Sequence, residues 1–308
     1  MTDLSNVLEV APRVAEAVAV GKPVVALEST LITHGFAHPM GVKAARRAES
    51  AVRAGGAEPA TVAVRNGRLV VGLSDSELEQ IATADSARKA SRATLALALT
   101  EGGWAGTTVS ATMIAAALAG VRVFATGGIG GVHRGGERTM DISADLDELA
   151  RTPVLVVCAG PKSVLDIDLT LEYLETRGVP VLGWQTTALA GFYARDSGRV
   201  LTGSVSDAAE AARVASAHWS LRLGSGLLIC NPLPVEAALP REEAETAIAQ
   251  AVADSEAAGI HGPEATPYVL ARVAELTNGR SVTANLALIE NNARVAASIA
   301  VALAGSGG

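Results

Sequence analysis

Short β-branched and apolar runs recur along the chain at residues 23–27, 121–125, 154–158, 179–183 and 226–230, separated by longer stretches whose apolar positions follow helical spacing. Strands alternating with helices predict an α/β fold with a largely parallel sheet and helices on its faces. Between the first two runs, residues 61–65 and 68–72 alternate apolar with polar positions on either side of Asn66-Gly67. That dipeptide is a strong hairpin signal, so the sheet is predicted to be mixed. Small and apolar residues from 107 to 118 read as a buried helix, which Gly120 is placed to end before the strand starting at Val121. Residues 284–303 have helical spacing, and the tail Gly305-Ser306-Gly307-Gly308 is expected to fray. No Pro/Ser-rich boundary and no fixed-period repeat divides the chain, which favours one domain over residues 1–308.

Composition narrows the classes of function. The 308 residues are 49% hydrophobic and 19% charged, an ordinary globular balance that excludes long disorder. A formal net charge of -7 offers no basic footprint for a nucleic-acid polymer or an anionic membrane surface. Cys158 and Cys230 each end an apolar run and match no metal-ligand spacing, so both read as core thiols of a reducing compartment. Residues 1–9 carry Asp3 and Glu9 where a secretory leader has basic residues, and the protein is expected to be cytoplasmic. The most apolar stretch, residues 113–125, is interrupted by Gly120 and Arg122 and is shorter than the roughly 20 residues of a spanning helix, so no membrane segment is expected.

The chemistry-bearing residues cluster after the predicted strands. Residues 154–158 lead into Ala159, Gly160, Pro161, Lys162 and Ser163, with Asp166 and an apolar helical pattern beyond. Ser163 and Asp166 have capping-box spacing, which makes Ser163 the expected N-cap and sets Lys162 just before a helix. A lysine there either points into water or is held where the dipole and desolvation free its amine as a nucleophile. After residues 121–125 come six glycines within residues 127–136, together with His133 and Arg134. Such a loop lets backbone amides approach a phosphate, the alternative being a floppy surface loop, and it matches neither the dinucleotide fingerprint nor a P-loop. Asp141, Asp145, Asp147 and Glu148 place four carboxylates in eight residues. They suit Mg²⁺ or Mn²⁺ held largely through water, or else form an acidic helix start with solvated charges. Glu28 follows the first parallel strand, where ligand-facing groups sit in open α/β sheets, though it could also cap the following turn.

Taken together, Ala26 to Thr30, Lys89 with Ser91 and Arg92, Thr126 through His133 to Gly135, Asp141 with Ser143 and Asp145, Ala159 with Lys162 and Asp166, and Asn285 with Asn291 and Asn292 resemble the signature segments of the pseudouridine-5′-phosphate glycosidases. Order and spacing match over nearly the whole chain. The resemblance implies a three-layer α/β/α fold, a divalent metal such as Mn²⁺, a homotrimer, and cleavage of the carbon–carbon bond between a nucleobase and ribose 5-phosphate. It assigns Lys162 as the amine that attacks the anomeric carbon and Glu28 as proton donor to the base carbon. It places Asp145 on the metal, Lys89, Thr126, His133 and Ser143 on the phosphate or sugar, and Asn285 on the base. A C-glycoside has no leaving oxygen to protonate, so the paired carboxylates of an ordinary glycosidase do not suffice. A ring-opened sugar joined to lysine as an iminium supplies the missing electron sink, and an acid at the base carbon completes the exchange.

Two segments depart from the family pattern. Where the family commonly has Pro-Tyr-Pro and an amide, this chain has Ala37, His38, Pro39, Met40 and Gly41, and near residue 263 a lysine is replaced by proline. These changes leave ribose 5-phosphate as the safer half of the substrate and open the acceptor. The reversible C-glycosidase reading therefore stands beside biosynthetic C-ribosylation of an aromatic polyketide, as in the alnumycin pathway. More distant are a Schiff-base sugar-phosphate aldolase, which leaves Glu28 and Asn285 without a role, and a non-enzymatic sugar-phosphate sensor, which needs no reactive lysine.

Overall fold

The apolar runs become the middle of a mixed sheet. In the computed structural model, which describes residues 6–260 and 265–305, eleven strands among the described residues join in one sheet and two more form a small separate pair. They are β1 (Leu8–Val10), β2 (Val24–Leu27), β3 (Glu58–Arg65), β4 (Arg68–Val71), β5 (Arg88–Ala90), β6 (Trp104–Thr107), β7 (Val123–Ala125), β8 (Val132–His133), β9 (Leu155–Cys158), β10 (Leu165–Asp166), β11 (Val181–Trp184), β12 (Ser204–Val205) and β13 (Leu227–Cys230). The main order is β1-β4-β3-β2-β7-β9-β13-β11-β12, with β6 beside β3 and β5 beside β6, while β8 and β10 pair separately. Pairing is parallel from β3 through β2, β7, β9, β13 and β11 to β12. The antiparallel pairs of the main sheet are β3 with β4 and β3 with β6. Asn66 at φ 47° and Gly67 at φ 81° make the β3–β4 turn, both in the left-handed region that a two-residue hairpin of this hand requires.

Each of the five predicted runs enters its strand one or two residues late, and the helix ends explain two of them. The Val121 amide donates to the Ala116 carbonyl and the Val179 amide to that of Leu174, while Gly120 and Gly178 take positive φ. Val121 and Val179 are thus the apolar residues that close Schellman caps, not the first rungs of a ladder.

Alternation along the central strands loads both faces. Val25, Leu27, Ala125, Leu155 and Val157 join one core with the helices Met40–Ala54, Ala208–Ser220 and Arg280–Gly305. Ala26, Phe124, Val156 and Cys158 join another with Pro12–Ala19, Val109–Leu118 and Ala144–Leu149. The result is the expected α/β/α layering. Cys158 and Cys230 are buried free thiols in register on β9 and β13, and the neighbouring Cys158, then burial, push the Cys230 thiol well above its usual range.

The C-terminal helix, Arg280–Gly305, is long and apolar enough by length and composition to cross a membrane, a feature the reading of residues 113–125 did not weigh. Its buried residues, among them Ala284, Leu288, Ala293 and Ala296, pack into the core instead. The tail at 306–308 lies outside the described residues.

Candidate active site

At β2 and β7 the chain winds outward in opposite directions, to β3 on one side and β9 on the other. Such a switch point opens a crevice at the carboxyl ends of the strands. A cavity of about 370 Å³ lies there, and Glu28, Lys89, His133, Ser143, Asp145, Lys162 and Asn285 all line it. Residues drawn from across the sequence thus meet in one place.

Glu28 directly follows β2 and is 5% exposed. Its two carboxylate oxygens accept from the hydroxyls of Thr30 and Thr126. Thr126 follows β7, the strand parallel to β2, so adjacent strand ends seat the acid. Thr126, expected on the sugar or phosphate, gives its hydroxyl proton to Glu28 and is not among the residues that line the cavity. Behind it, Asn292 Nδ2 donates to the Thr126 carbonyl at 2.8 Å and Asn231 Nδ2 donates to Asn292 Oδ1 at 3.0 Å, so the Asn292 part of the C-terminal motif acts as a clamp.

Lys162 reaches the cavity by a route different from the one predicted. Ser163 is not an N-cap. The helix begins at Ile167, and Asp166 caps it by accepting from the Leu169 amide at 2.9 Å. Leu165 and Asp166 are drawn into β10 against Val132 and His133, and the Lys162 amide donates to the Ile129 carbonyl at 3.0 Å. Long-range pairing with the glycine-rich loop therefore overrides the local capping pattern and holds Lys162 against that loop. Lys89 arrives from the other side on β5, whose register partner on β6 is Gly106. Loss of water on burial, and after it the Lys162 charge, lower the Lys89 pKa, while Asp145 and Glu28 act in the opposite direction.

The glycine-rich loop is tightly seated. A Cβ on Gly130 would collide with Ser143 Oγ and stand 2.8 Å from Asp145 Oδ2, and one on Gly128 would stand 2.7 Å from Phe192 Cε2. The acidic segment does start a helix, Ala144–Leu149, with Ser143 as N-cap. Its charges are not simply solvated. Asp145, 5% exposed, accepts the Ser110 amide at 2.9 Å and the Gly130 amide at 2.8 Å. Glu148 is buried, accepts from Thr152 and pairs with Arg92. Asp141 lines the cavity with an exposed side chain 4.0 Å from His133 Nδ1. Among the described residues no three His, Cys, Asp or Glu side chains converge as a ready-made metal cage. The donor set offers carboxylate oxygen from Asp141 and Asp145, which fits a hard cation that keeps most of its ligands as water or substrate oxygen.

Asn285 is 9% exposed, and its buried Oδ1 has no hydrogen-bond partner among the described residues. A buried acceptor left open on a cavity wall is a place for a ligand donor. Sequence reasoning missed the apolar lining of Phe36, Phe192, Leu270 and Ile289, and also His34. Phe36 and His34 sit on or just after a π-helical turn, Leu31–Gly35, which gives no periodic signal. Gly41, read as a lost acceptor-side amide, is not a cavity residue: a Cβ there would stand 2.8 Å from the Ile32 backbone. Of the second departure, residues 262–264 lie outside the described residues, and Thr266 and Pro267 line the cavity.

A lysine, a buried acid and a buried amide oxygen thus line one cavity at the switch point of an α/β sheet. The sequence matches the family described as "Indigoidine synthase A like protein" over residues 13–302. It is 54% identical to the pseudouridine-5′-phosphate glycosidase of Solibacter usitatus, over 96% of this chain and 99% of that one. It is 52% identical to the enzyme of the same name from Methylobacterium nodulans, over 97% and 89%. Among solved structures, the prealnumycin C-glycosynthase AlnA in complex with ribulose 5-phosphate superposes with a TM-score of 0.90 at 41% identity, covering 97% of this chain and 98% of that one. An indigoidine synthase A-like protein from Thermotoga maritima gives 0.87 at 34%, covering 97% of each. The chain belongs to the pseudouridine-5′-phosphate glycosidase family, the indigoidine synthase A-like group.

Proposed function

We propose that the protein breaks the bond between C1′ of ribose 5-phosphate and the base carbon of pseudouridine 5′-phosphate, giving uracil and ribose 5-phosphate, and catalyses the reverse reaction as well. The observation that carries this reading is that Lys162 and the buried acid Glu28 line one cavity together with Asn285, whose buried Oδ1 is left without a partner among the described residues. The Lys162 amine bonds to C1′ as the furanose ring opens. Glu28 protonates the base carbon, the nitrogen lone pair forms the iminium, and the C1′ to base bond breaks with its electrons returning to the base ring. Water then releases ribose 5-phosphate. Lys89, His133 and Ser143 hold the anionic sugar, and Asn285 Oδ1 accepts from a base N–H.

Asp145 and Asp141 would hold a divalent cation, Mn²⁺ being the expected one, and the bound ion would supply positive charge beside the sugar and phosphate oxygens. A homotrimer is part of the same proposal, and light scattering tests it.

Cleavage is favoured over aromatic C-ribosylation because the chain is closer to the glycosidases, 54% against 41% for AlnA, and Gly41 lies away from the cavity. Uracil release from pseudouridine 5′-phosphate with Mn²⁺, followed by absorbance, tests the reading. Turnover supports it, whereas no uracil together with ribosylation of a polycyclic phenol would support the biosynthetic one.

A further inference from the structure

One imidazole on the cavity wall has no role in the reaction above. We propose that His34 is a further catalytic residue, whose Nε2 meets the sugar ring oxygen, O4′, and carries the proton that ring opening has to move. The inference rests on the C-glycosidase reading.

His34 lies in the π-helical turn Leu31–Gly35, six residues after Glu28. Its Nδ1 is 2.6 Å from Thr33 Oγ1, and that hydroxyl donates to the Ser29 carbonyl at 3.4 Å. Either tautomer can make the 2.6 Å contact; the role assigned here uses the one in which Nδ1–H donates to Thr33 Oγ1 and the Thr33 proton goes to the Ser29 carbonyl, which leaves the lone pair on Nε2. Nε2 has no hydrogen-bond partner among the described residues, and the side chain lines the cavity. The seat is specific. Gly106 is the glycine that makes room, since a Cβ there would collide with Thr33 Oγ1, and Gly106 is also the register partner of Lys89. Burial, and then the Lys89 charge, lower the His34 pKa, which favours the neutral ring.

Ring opening leaves one proton to be moved. As the Lys162 nitrogen bonds to C1′, the C1′–O4′ bond breaks and its electron pair goes to O4′. The nitrogen then carries one proton too many and O4′ one too few. Transfer from that nitrogen to Nε2, and from there to O4′, closes the step with atoms and charge unchanged. Of the other acids and bases on the wall, Glu28 is taken by two hydroxyls and its task at the base, Asp145 accepts two amides, Lys89 and His133 hold the anionic sugar in the reading above, and Asp141 lies 4.0 Å from His133 Nδ1.

His34→Asn keeps the acceptor or donor at the Nδ1 position and removes Nε2. Turnover of pseudouridine 5′-phosphate should fall about 100-fold or more, with KM changed far less and the melting temperature retained. The rate of borohydride-trapped labelling of Lys162 by ribose 5-phosphate should fall with it. Labelling by erythrose 4-phosphate, an aldehyde that cannot close to a furanose, should proceed at the wild-type rate. Unchanged turnover in His34→Asn, or equal loss with both aldehydes, would overturn the role. A wild-type protein that releases no uracil would instead refute the C-glycosidase reading, independently of His34.

Discussion

Thr126 and Glu28 stand opposite each other at the carboxyl ends of β7 and β2, and the Thr126 hydroxyl donates to one carboxylate oxygen while Thr30 donates to the other. Hydroxyls can accept as readily as donate, so this seat accommodates the carboxyl group in both protonation states that a proton donor passes through. Two hydroxyls, and no salt bridge among the described residues, seat the acid, with Lys89 within electrostatic reach.

That seat separates two halves of the chemistry. Glu28→Gln keeps the shape and the hydrogen-bond seat but removes the proton donor. Uracil release should fall by about 10² to 10⁴, while borohydride trapping of ribose 5-phosphate on Lys162 continues, as read by peptide mass spectrometry. Loss of both reactions would show that Glu28 acts before the carbon–carbon step.

Asp145 ties the glycine-rich loop to the helix Val109–Leu118 by accepting the Gly130 and Ser110 amides. Asp145→Asn replaces one acceptor with a donor that faces an N–H. The loss should be about 1.5–3 kcal/mol in denaturant unfolding, the range for a hydrogen bond to a charged group. Activity should fall further than stability, because the loop positions Lys162 through Ile129. Gly130→Ala should do the same by collision with Ser143.

Lys89 gives a pH signature. Its pKa is lowered in the fold from 10.5, so between the folded and unfolded values the unfolded chain binds more protons and stability rises with pH. Below that window the charged amine is a standing cost to the empty enzyme. Lys89→Met should therefore raise the melting temperature at pH 7 and lose its advantage as the pH climbs towards 10.5, while the KM for a phosphorylated substrate rises. A variant less stable at pH 7 would contradict this.

The parallel core and the Asn66-Gly67 hairpin were legible because they rest on local alternation and on a turn that needs positive φ at two residues. That Glu28, Lys162 and Asp145 line one cavity was legible from motif resemblance and strand-end position. The Ser163 cap failed because β8–β10 pairing is a non-local contact that competes with a local capping pattern. Arg92 with Glu148 is hidden in the same way: Glu148 is buried against a still-exposed Arg92 only once the β5 loop meets the helix Ala144–Leu149. Gly41 misled because sequence alone does not distinguish a glycine that lost a ligand group from one pressed against the Ile32 backbone.

Gly41 can be tested on its own. Gly41→Ala should destabilise the fold by about 1–3 kcal/mol through overpacking against Ile32. The KM of the folded fraction should not change, as measured by denaturant unfolding alongside turnover. A large KM change would return Gly41 to the acceptor site.

The central claim is that Lys162 forms a covalent bond to the sugar. The most direct measurement is to incubate the protein with ribose 5-phosphate and Mn²⁺, reduce with borohydride, and map the added mass by peptide mass spectrometry. The prediction is one reduced pentose-phosphate adduct on Lys162, absent from Lys162→Ala. An active protein that carries no adduct on Lys162 under these conditions would contradict the lysine mechanism.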